Sequence, residues 1–274
     1  MVQTTISPCD VLIIGAGVMG MLSALELAEA GQDVFVLDKG QAGLEASWAS
    51  GGIISPLYPW RYSSPITALA TWSQNAFPDL IAQLRDSTGI DPELLVNGML
   101  VTATNEREQA LAWGAGVSRA VIEITDDEAQ ALEPHVVLDE TPLWMPRVSS
   151  VRNPRMGQAL RHICLNRPHI QLREHHEAQV SGSLSSPVVS SHGQRVVADR
   201  IVLTTGAWTG DLLSGLNLRC PIKPMKGQML LFSPCRLVNR VVLANGRYAI
   251  PRADGRIAVS YTHLTLPTSR SVVG

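Results

Sequence analysis

Apolar and polar positions along this chain form two kinds of run, and together they predict an α/β fold. Residues 11–14 are continuously apolar, as in a strand buried on both faces of a parallel sheet. Residues 21–30, rich in Leu, Ala and Glu, predict a helix that Gly31 stops. Residues 34–37 are a second apolar run, ending in Asp38. Residues 63–90 predict a helix, with Leu69, Trp72, Phe77, Leu80, Ile81 and Leu84 at three- and four-residue steps as its core stripe. Pro65 suits its start, and Pro78 predicts a kink or a break into two helices. Residues 94–104 predict a strand or hairpin with a bend at Gly98. Helices follow over 106–114 and from Thr125, where Asp126, Asp127 and Glu128 suit the first turn. Residues 136–148 read as extended, 155–165 as helix, and 170–172 and 178–180 as strands. Residues 181–194 are polar and predict a surface hairpin. Residues 200–203 form another buried strand, leading through small residues to a helix at 211–213. Strands at 229–232 and 240–243 precede a hairpin over 247–252 that turns at Asp254-Gly255.

Chemistry enters at the first strand end. Gly15, Ala16, Gly17, Val18, Met19 and Gly20 supply G-x-G-x-x-G spacing, and Asp38 lies 18 positions after Gly20. Gly15 allows the turn out of the strand. Gly17 lets a pyrophosphate approach the backbone, and Gly20 lets the helix pack close to the sheet. The helix N-terminus offers free N–H groups to phosphates. An acid at the second strand end accepts hydrogen bonds from ribose hydroxyls. A glycine-rich turn in an ordinary α/β domain would leave that acid unexplained, so the segment predicts dinucleotide binding.

The totals change this picture little. The 274 residues suit one large domain or two interleaved ones, and 45% hydrophobic with 17% charged residues suits a sizeable core. A net charge of −2 gives no reason to expect nucleic acid or a membrane as partner. The first ten residues lack a basic region and cleavage site, so no secretory signal is expected. Cys9, Cys164, Cys220 and Cys235 are far apart, with no C-x-x-C, and are expected to be free thiols in a reducing cytoplasm. His175 and His176 are adjacent and would point to opposite faces of a strand, so no metal site is expected; His176 is expected to be exposed rather than stacked.

Two further stretches are rich in small residues. One is Ser47-Trp48-Ala49-Ser50-Gly51-Gly52-Ile53-Ile54-Ser55-Pro56, and the other is the turn Thr204-Thr205-Gly206-Ala207-Trp208-Thr209. Alone, the first is a loop with a glycine bend and the second any β–α junction. With the fingerprint, Asp38 and the following Leu57-Tyr58-Pro59-Trp60-Arg61-Tyr62, the chain resembles the D-amino acid oxidase superfamily of FAD enzymes, and within it glycine oxidases of the ThiO type. Pro221-Ile222-Lys223-Pro224-Met225-Lys226-Gly227-Gln228 and Arg247-Tyr248-Ala249-Ile250-Pro251-Arg252 extend the likeness over residues 10–259. Asp38 stands where many relatives have Glu.

The resemblance implies a Rossmann-like FAD-binding domain (1–75 and 149–216) interleaved with an α+β substrate domain (76–148 and 217–259) built on a mixed, largely antiparallel sheet. It implies FAD contacts by the glycine loop, Asp38, Lys39, Ser47, Ala49, Gly51, Gly52, Ile53, Ala178, Thr205, Gly206 and Trp208. Tyr248 corresponds to the tyrosine whose hydroxyl reaches the substrate carboxylate, although the residue alone equally suits a tyrosine packed in a sheet. The implied activity is oxidative deamination of glycine, sarcosine or a small D-amino acid by oxygen, in thiamine biosynthesis, giving 2-oxo acid, ammonia and peroxide. No side-chain base is needed. A dehydrogenase with another electron acceptor and a non-catalytic flavin-binding protein are the alternatives. The full-length enzyme is expected to be a cytoplasmic homo-oligomer.

From Ser260 the sequence stops resembling the family, and 260–274 is expected to be a non-native tail. The family's substrate-carboxylate arginine would lie beyond it. The chain as written is therefore expected to hold FAD weakly or not at all and to be inactive, whereas its full-length parent is expected to be active; Arg247 or Arg252 is not expected to substitute.

Overall fold

The computed structural model describes residues 5–117, 120–234 and 236–262. In chain order the elements begin β1 (Thr5–Ile14), α1 (Val18–Glu29), β2 (Val34–Leu37), α2 (Ala46–Ala49), α3 (Ser64–Thr88) and β3 (Met99–Ala103). Then come α4 (Arg107–Gly116), β4 (Ile122–Glu123), α5 (Asp126–Leu132), β5 (Leu143–Met145), α6 (Asn153–Asn166) and β6 (Ile170–Arg173). The rest are β7 (Gln179–Ser183), β8 (Ser186–Ser191), β9 (Gln194–Leu203), α7 (Thr209–Ser214), β10 (Gly227–Phe232), β11 (Val241–Ala244), β12 (Arg247–Pro251) and β13 (Ile257–Thr262).

The chain divides into two compact units: Met1–Ala49, Leu84–Ile90 and Pro154–Met225, and Ser50–Gln83, Asp91–Asn153 and Lys226–Gly274. The expected divisions near 75, 148 and 216 compare with these at 49, 153 and 225.

The first unit carries a six-stranded sheet in the order β6-β2-β1-β9-β8-β7. Its four strands β6, β2, β1 and β9 are parallel, and β8 and β7 continue antiparallel. Val11, Leu12, Ile13 and Ile14 are all buried, as are all four residues of β2, which is why both read as unbroken apolar runs. Gly20, Met21, Ala24 and Ala28 form the buried face of α1. Small side chains there let the helix lie close to the strands. The surface hairpin expected over 181–194 is β7–β8, the edge of the sheet: residues 181–186 and 192–194 are exposed, and Val189 and Ser191 alone are buried in it.

The second unit carries a seven-stranded sheet in the order β10-β13-β12-β11-β3-β5-β4, antiparallel at every pair except β11–β3. Met99, Val101, Leu143, Met145, Val241, Leu243, Ile250 and Ala258 make its core. A mixed α/β fold with these two sheets is the expected class.

Three expectations are corrected. Pro78 does not divide the helix: α3 runs unbroken through it, because proline removes one backbone donor and the neighbouring turns keep theirs. The stripe of α3 is core only in its second half, where Ile81 and Leu84 are buried; Leu69 and Trp72 are exposed. Of 136–148, only β5 is strand. The call of a non-native tail from residue 260 falls on described residues only as far as Thr262. There β13 continues past Val259, and buried Ser260 donates from Oγ to the Gln228 carbonyl at 3.0 Å. Residues 263–274, and Cys235, lie outside the described residues.

Candidate functional site

At the C-terminal end of β1 the chain turns sharply at Gly15, whose φ of +104° L-residues with a side chain rarely adopt. A Cβ there would stand 2.6 Å from the Thr204 carbonyl oxygen, because β9 lies directly beside β1. Thr204 fastens this corner: its hydroxyl donates to the carbonyls of Ile14 and Gly15 at 3.1 and 2.7 Å. A Cβ on Gly20 would collide with the Gly15 carbonyl, so glycine is required for α1 to start this close to the strand. Gly17 caps α1 with no side-chain hydrogen bond, and among the described residues the only atom within 4 Å of its absent Cβ is Ser47 Oγ, at 3.2 Å. Ser47 Oγ accepts from Val18 N–H at 2.9 Å. The N–H groups of Met19 and Gly20 have no acceptor among the described residues. An open glycine surface beside orphan first-turn amides fits a diphosphate.

Asp38 closes the cradle from the next strand. Its Oδ2 accepts from Ala16 N–H at 2.6 Å and its Oδ1 from Gly40 N–H at 2.8 Å. Each carboxylate oxygen can accept a second bond, so the group fits ribose hydroxyls while it holds the loop. Lys39 stands over the Trp208 ring, its Nζ 3.5 Å from the centroid, so these two candidates meet each other. Gly206 and Ala207 are exposed on the turn after β9, and Thr205 bonds Thr209 through their hydroxyls at 3.0 Å. Ala178 packs against the cluster of Leu12, Phe35 and Leu37. His176, expected to be exposed, is half-buried and stacked on His192 with centroids 4.5 Å apart; its backbone N–H donates to the Asp38 carbonyl. The turn at His175, with φ +57°, swings the ring there.

Residues that the sequence reading did not single out support this corner. Glu174 accepts from Arg161 Nε and Nη2 at 2.6 and 2.5 Å, and from Ala42 N–H at 2.8 Å. The Arg161 hydrogen bonds hold its carboxyl below the usual carboxylate range. Burial pushes the Cys164 thiol up to about 12, so it is inert packing beneath α1. Thr204 stands in the small-residue turn already noted, but its fastening role, like that of Glu174, is revealed only by strand adjacency.

The second unit brings together Gly51, Gly52, Ile53 and Tyr248. A Cβ on Gly51 would meet Ile250, Tyr248 and Met229. Gly52 has φ +75°, and a Cβ on it would strike the Val151 carbonyl. Ile53 bridges to Ser150. Tyr248 is half-buried on β12 opposite Leu243 and Ser260, and its hydroxyl has no partner among the described residues. Ala49 is exposed at the end of α2, in the first unit. Among the described residues, no three His, Cys, Asp or Glu side chains are grouped to hold a metal, and no helix is long and apolar enough to cross a membrane.

Comparison with known proteins gives this geometry a context. The family model described as "DAO: FAD dependent oxidoreductase" matches residues 10–272. A glycine oxidase of Pseudomonas aeruginosa is 42% identical over 259 residues, a match that covers 92% of this chain and 70% of the relative. A bifunctional protein ThiO/ThiG of Trichormus variabilis is 26% identical, over 92% of this chain and 39% of that protein. The crystal structure of glycine oxidase from Geobacillus kaustophilus superposes with a TM-score of 0.84 at 27% identity, covering 97% of this chain and 75% of that one. A two-strand corner with orphan amides and an anchored acid is what a dinucleotide requires, and the chain belongs to the DAO family of FAD dependent oxidoreductases.

Proposed function

We propose that this protein oxidises a small amino acid, glycine first among the candidates, with FAD as cofactor and oxygen as electron acceptor. The observation that carries the reading is the corner at Gly15–Gly20, where Asp38 Oδ2 lies 2.6 Å from Ala16 N–H at the head of α1. The relatives named glycine oxidase supply the substrate class, and the resemblance to the ThiO type supplies a place in thiamine biosynthesis.

FAD, when bound, would supply two-electron redox chemistry that oxidises the amino acid to an imine and reduces oxygen to peroxide. The protein's part is orientation. The amides of Met19 and Gly20 take the diphosphate, and Asp38 takes the ribose. Ser47 keeps Val18 N–H engaged and so fixes the first turn of α1. By the family resemblance, Lys39, Ala49, Ala178, Thr205, Gly206 and Trp208 would hold the rest of the nucleotide, and Gly51, Gly52 and Ile53 would serve the ring. Tyr248 donates its hydroxyl to the substrate carboxylate and fixes the amino acid without removing a proton. The resulting imine is hydrolysed by water to 2-oxo acid and ammonia. Free thiols at Cys9, Cys164 and Cys220 accord with a cytoplasmic protein, and we expect a homo-oligomer.

Mixing the FAD-loaded protein with glycine, sarcosine or D-alanine without oxygen tests this reading. Glycine should bleach the flavin's visible band, and admitted oxygen should restore it with release of peroxide. A protein that holds FAD but is bleached by no amino acid is a flavin-binding protein instead. One that is bleached, yet reoxidised by a dye and not by oxygen, is a dehydrogenase.

A further inference from the structure

Arg252 lies one residue past β12, at the turn into β13. Its Nη1 donates to the Val151 carbonyl at 2.9 Å and its Nη2 to the Gly51 carbonyl at 3.0 Å. Val151 N–H in turn donates to the Gly52 carbonyl at 2.9 Å. One planar guanidinium therefore fastens two chain segments at the Gly51–Gly52 peptide, a task that suits a rigid fork of donors. The nearby carboxylates are engaged elsewhere: Arg152 Nη1 pairs with Glu93 at 3.2 Å and with Asp254 at 3.1 Å. Burial, followed by the charge of Arg152, lowers the Arg252 pKa. A cation is thus kept at a desolvating position to hold carbonyls rather than to complete an ion pair.

The consequence is directional. Among the described residues no peptide bond is cis, so the Gly52 N–H points opposite to the Gly51 carbonyl, away from Arg252. That N–H has no acceptor among the described residues. A half-buried cation thus orients one free backbone donor in a loop where a Cβ on either glycine would strike the protein's own atoms, so the peptide is held in place from both sides.

We propose that Arg252 is a positioning residue for the cofactor: by holding the Gly51 carbonyl it presents the Gly52 N–H as a hydrogen-bond donor to the flavin. This rests on the FAD reading above. It assigns Arg252 a role distinct from binding the substrate carboxylate, since its donors are turned to the backbone.

The test compares Arg252→Met and Arg252→Lys with the wild type, with Arg256→Met as control; Arg256 lies on the same turn but faces Asp254. The readouts are FAD affinity by fluorescence quenching, the position of the bound flavin's visible band, the flavin midpoint potential, and the melting temperature of the apoprotein. Arg252→Met should weaken FAD at least about tenfold, the loss expected when a charge-assisted bond no longer holds the donor in place. It should also shift the visible band and make the potential more negative, and added guanidinium ion should restore part of the shift. Arg256→Met should match the wild type. If Arg252→Met does not fold, Arg252→Lys decides, because a single ammonium lacks the fork that serves both carbonyls. A wild-type band and potential in Arg252→Lys overturns the proposal, as does a folded Arg252→Met that binds FAD like the wild type. If the wild type itself binds no FAD, the cofactor reading fails first; if it binds and the variants are indistinguishable from it, only the role of Arg252 fails.

Discussion

Gly51 lies against the ring of Tyr248: a Cβ on Gly51 would stand 3.0 Å from Tyr248 Cε2 and 2.6 Å from Ile250 Cδ1. The sequence reading placed one of these residues at the flavin and the other at the substrate, 197 positions apart in the chain. Gly51→Ala must push both side chains aside. The Ile250 methyl can move, so the stability cost should stay near ~1–3 kcal/mol, the usual range for overpacking. The displaced tyrosine should raise KM for the amino acid more than it lowers kcat. Melting temperature and steady-state kinetics check both parts.

Tyr248→Phe removes a hydroxyl that has no partner among the described residues. Its loss leaves no buried group unpaired, so melting temperature should change little. If the hydroxyl serves the substrate carboxylate, KM should rise by about tenfold, the value of one hydrogen bond to a charged group. An unchanged KM would return Tyr248 to the role of a tyrosine packed in a sheet.

Gly52 and Gly31 provide a matched pair, with φ of +75° and +81°. Among the described residues nothing lies within 4 Å of a Cβ on Gly31, whereas one on Gly52 strikes the Val151 carbonyl. Gly31→Ala should therefore cost only the left-handed backbone term of roughly 1–2 kcal/mol. Gly52→Ala should cost clearly more and weaken FAD binding, because backbone rather than a flexible side chain must give way. Urea denaturation of the two variants separates steric from conformational cost.

Acid should loosen the nucleotide corner through Glu174. Its carboxyl is held below the ordinary value of 4.5 by Arg161, so the pair's contribution is full above that value. It is lost as pH falls below 4.5 through the lower folded value. Both partners are mainly shielded, with side chains 15% and 33% exposed, so removing one should cost on the order of 1–3 kcal/mol at neutral pH. In urea titrations, the advantage of the wild type over Glu174→Gln should be constant from pH 7 to pH 5 and shrink below about pH 4.5.

What was legible in the sequence follows from the range of the forces involved. Residues 11–38 could be read because a doubly buried strand, a glycine turn and a helix face each leave a local pattern. Tyr248 needed the family resemblance, since nothing in its own neighbourhood marks it. Thr204 and Arg252 were illegible as supports because their partners, Gly15 and Gly51, are about 190 to 200 positions away. Pro78 misled for the opposite reason: a strong local rule met a helix long enough to continue without one bond. His176 misled because its stacking partner, His192, arrives only when β8 pairs with β9.

Binding of FAD itself tests the central claim most directly. Titrating FAD into the purified protein, with ADP as competitor and Asp38→Ala alongside, should give saturable quenching of flavin fluorescence. ADP should reverse it, and the variant should bind roughly 10- to 100-fold more weakly, in keeping with the loss of a charged acceptor. Protein of native circular dichroism that quenches no FAD, or an Asp38→Ala variant that binds it as tightly as the wild type, would contradict the account.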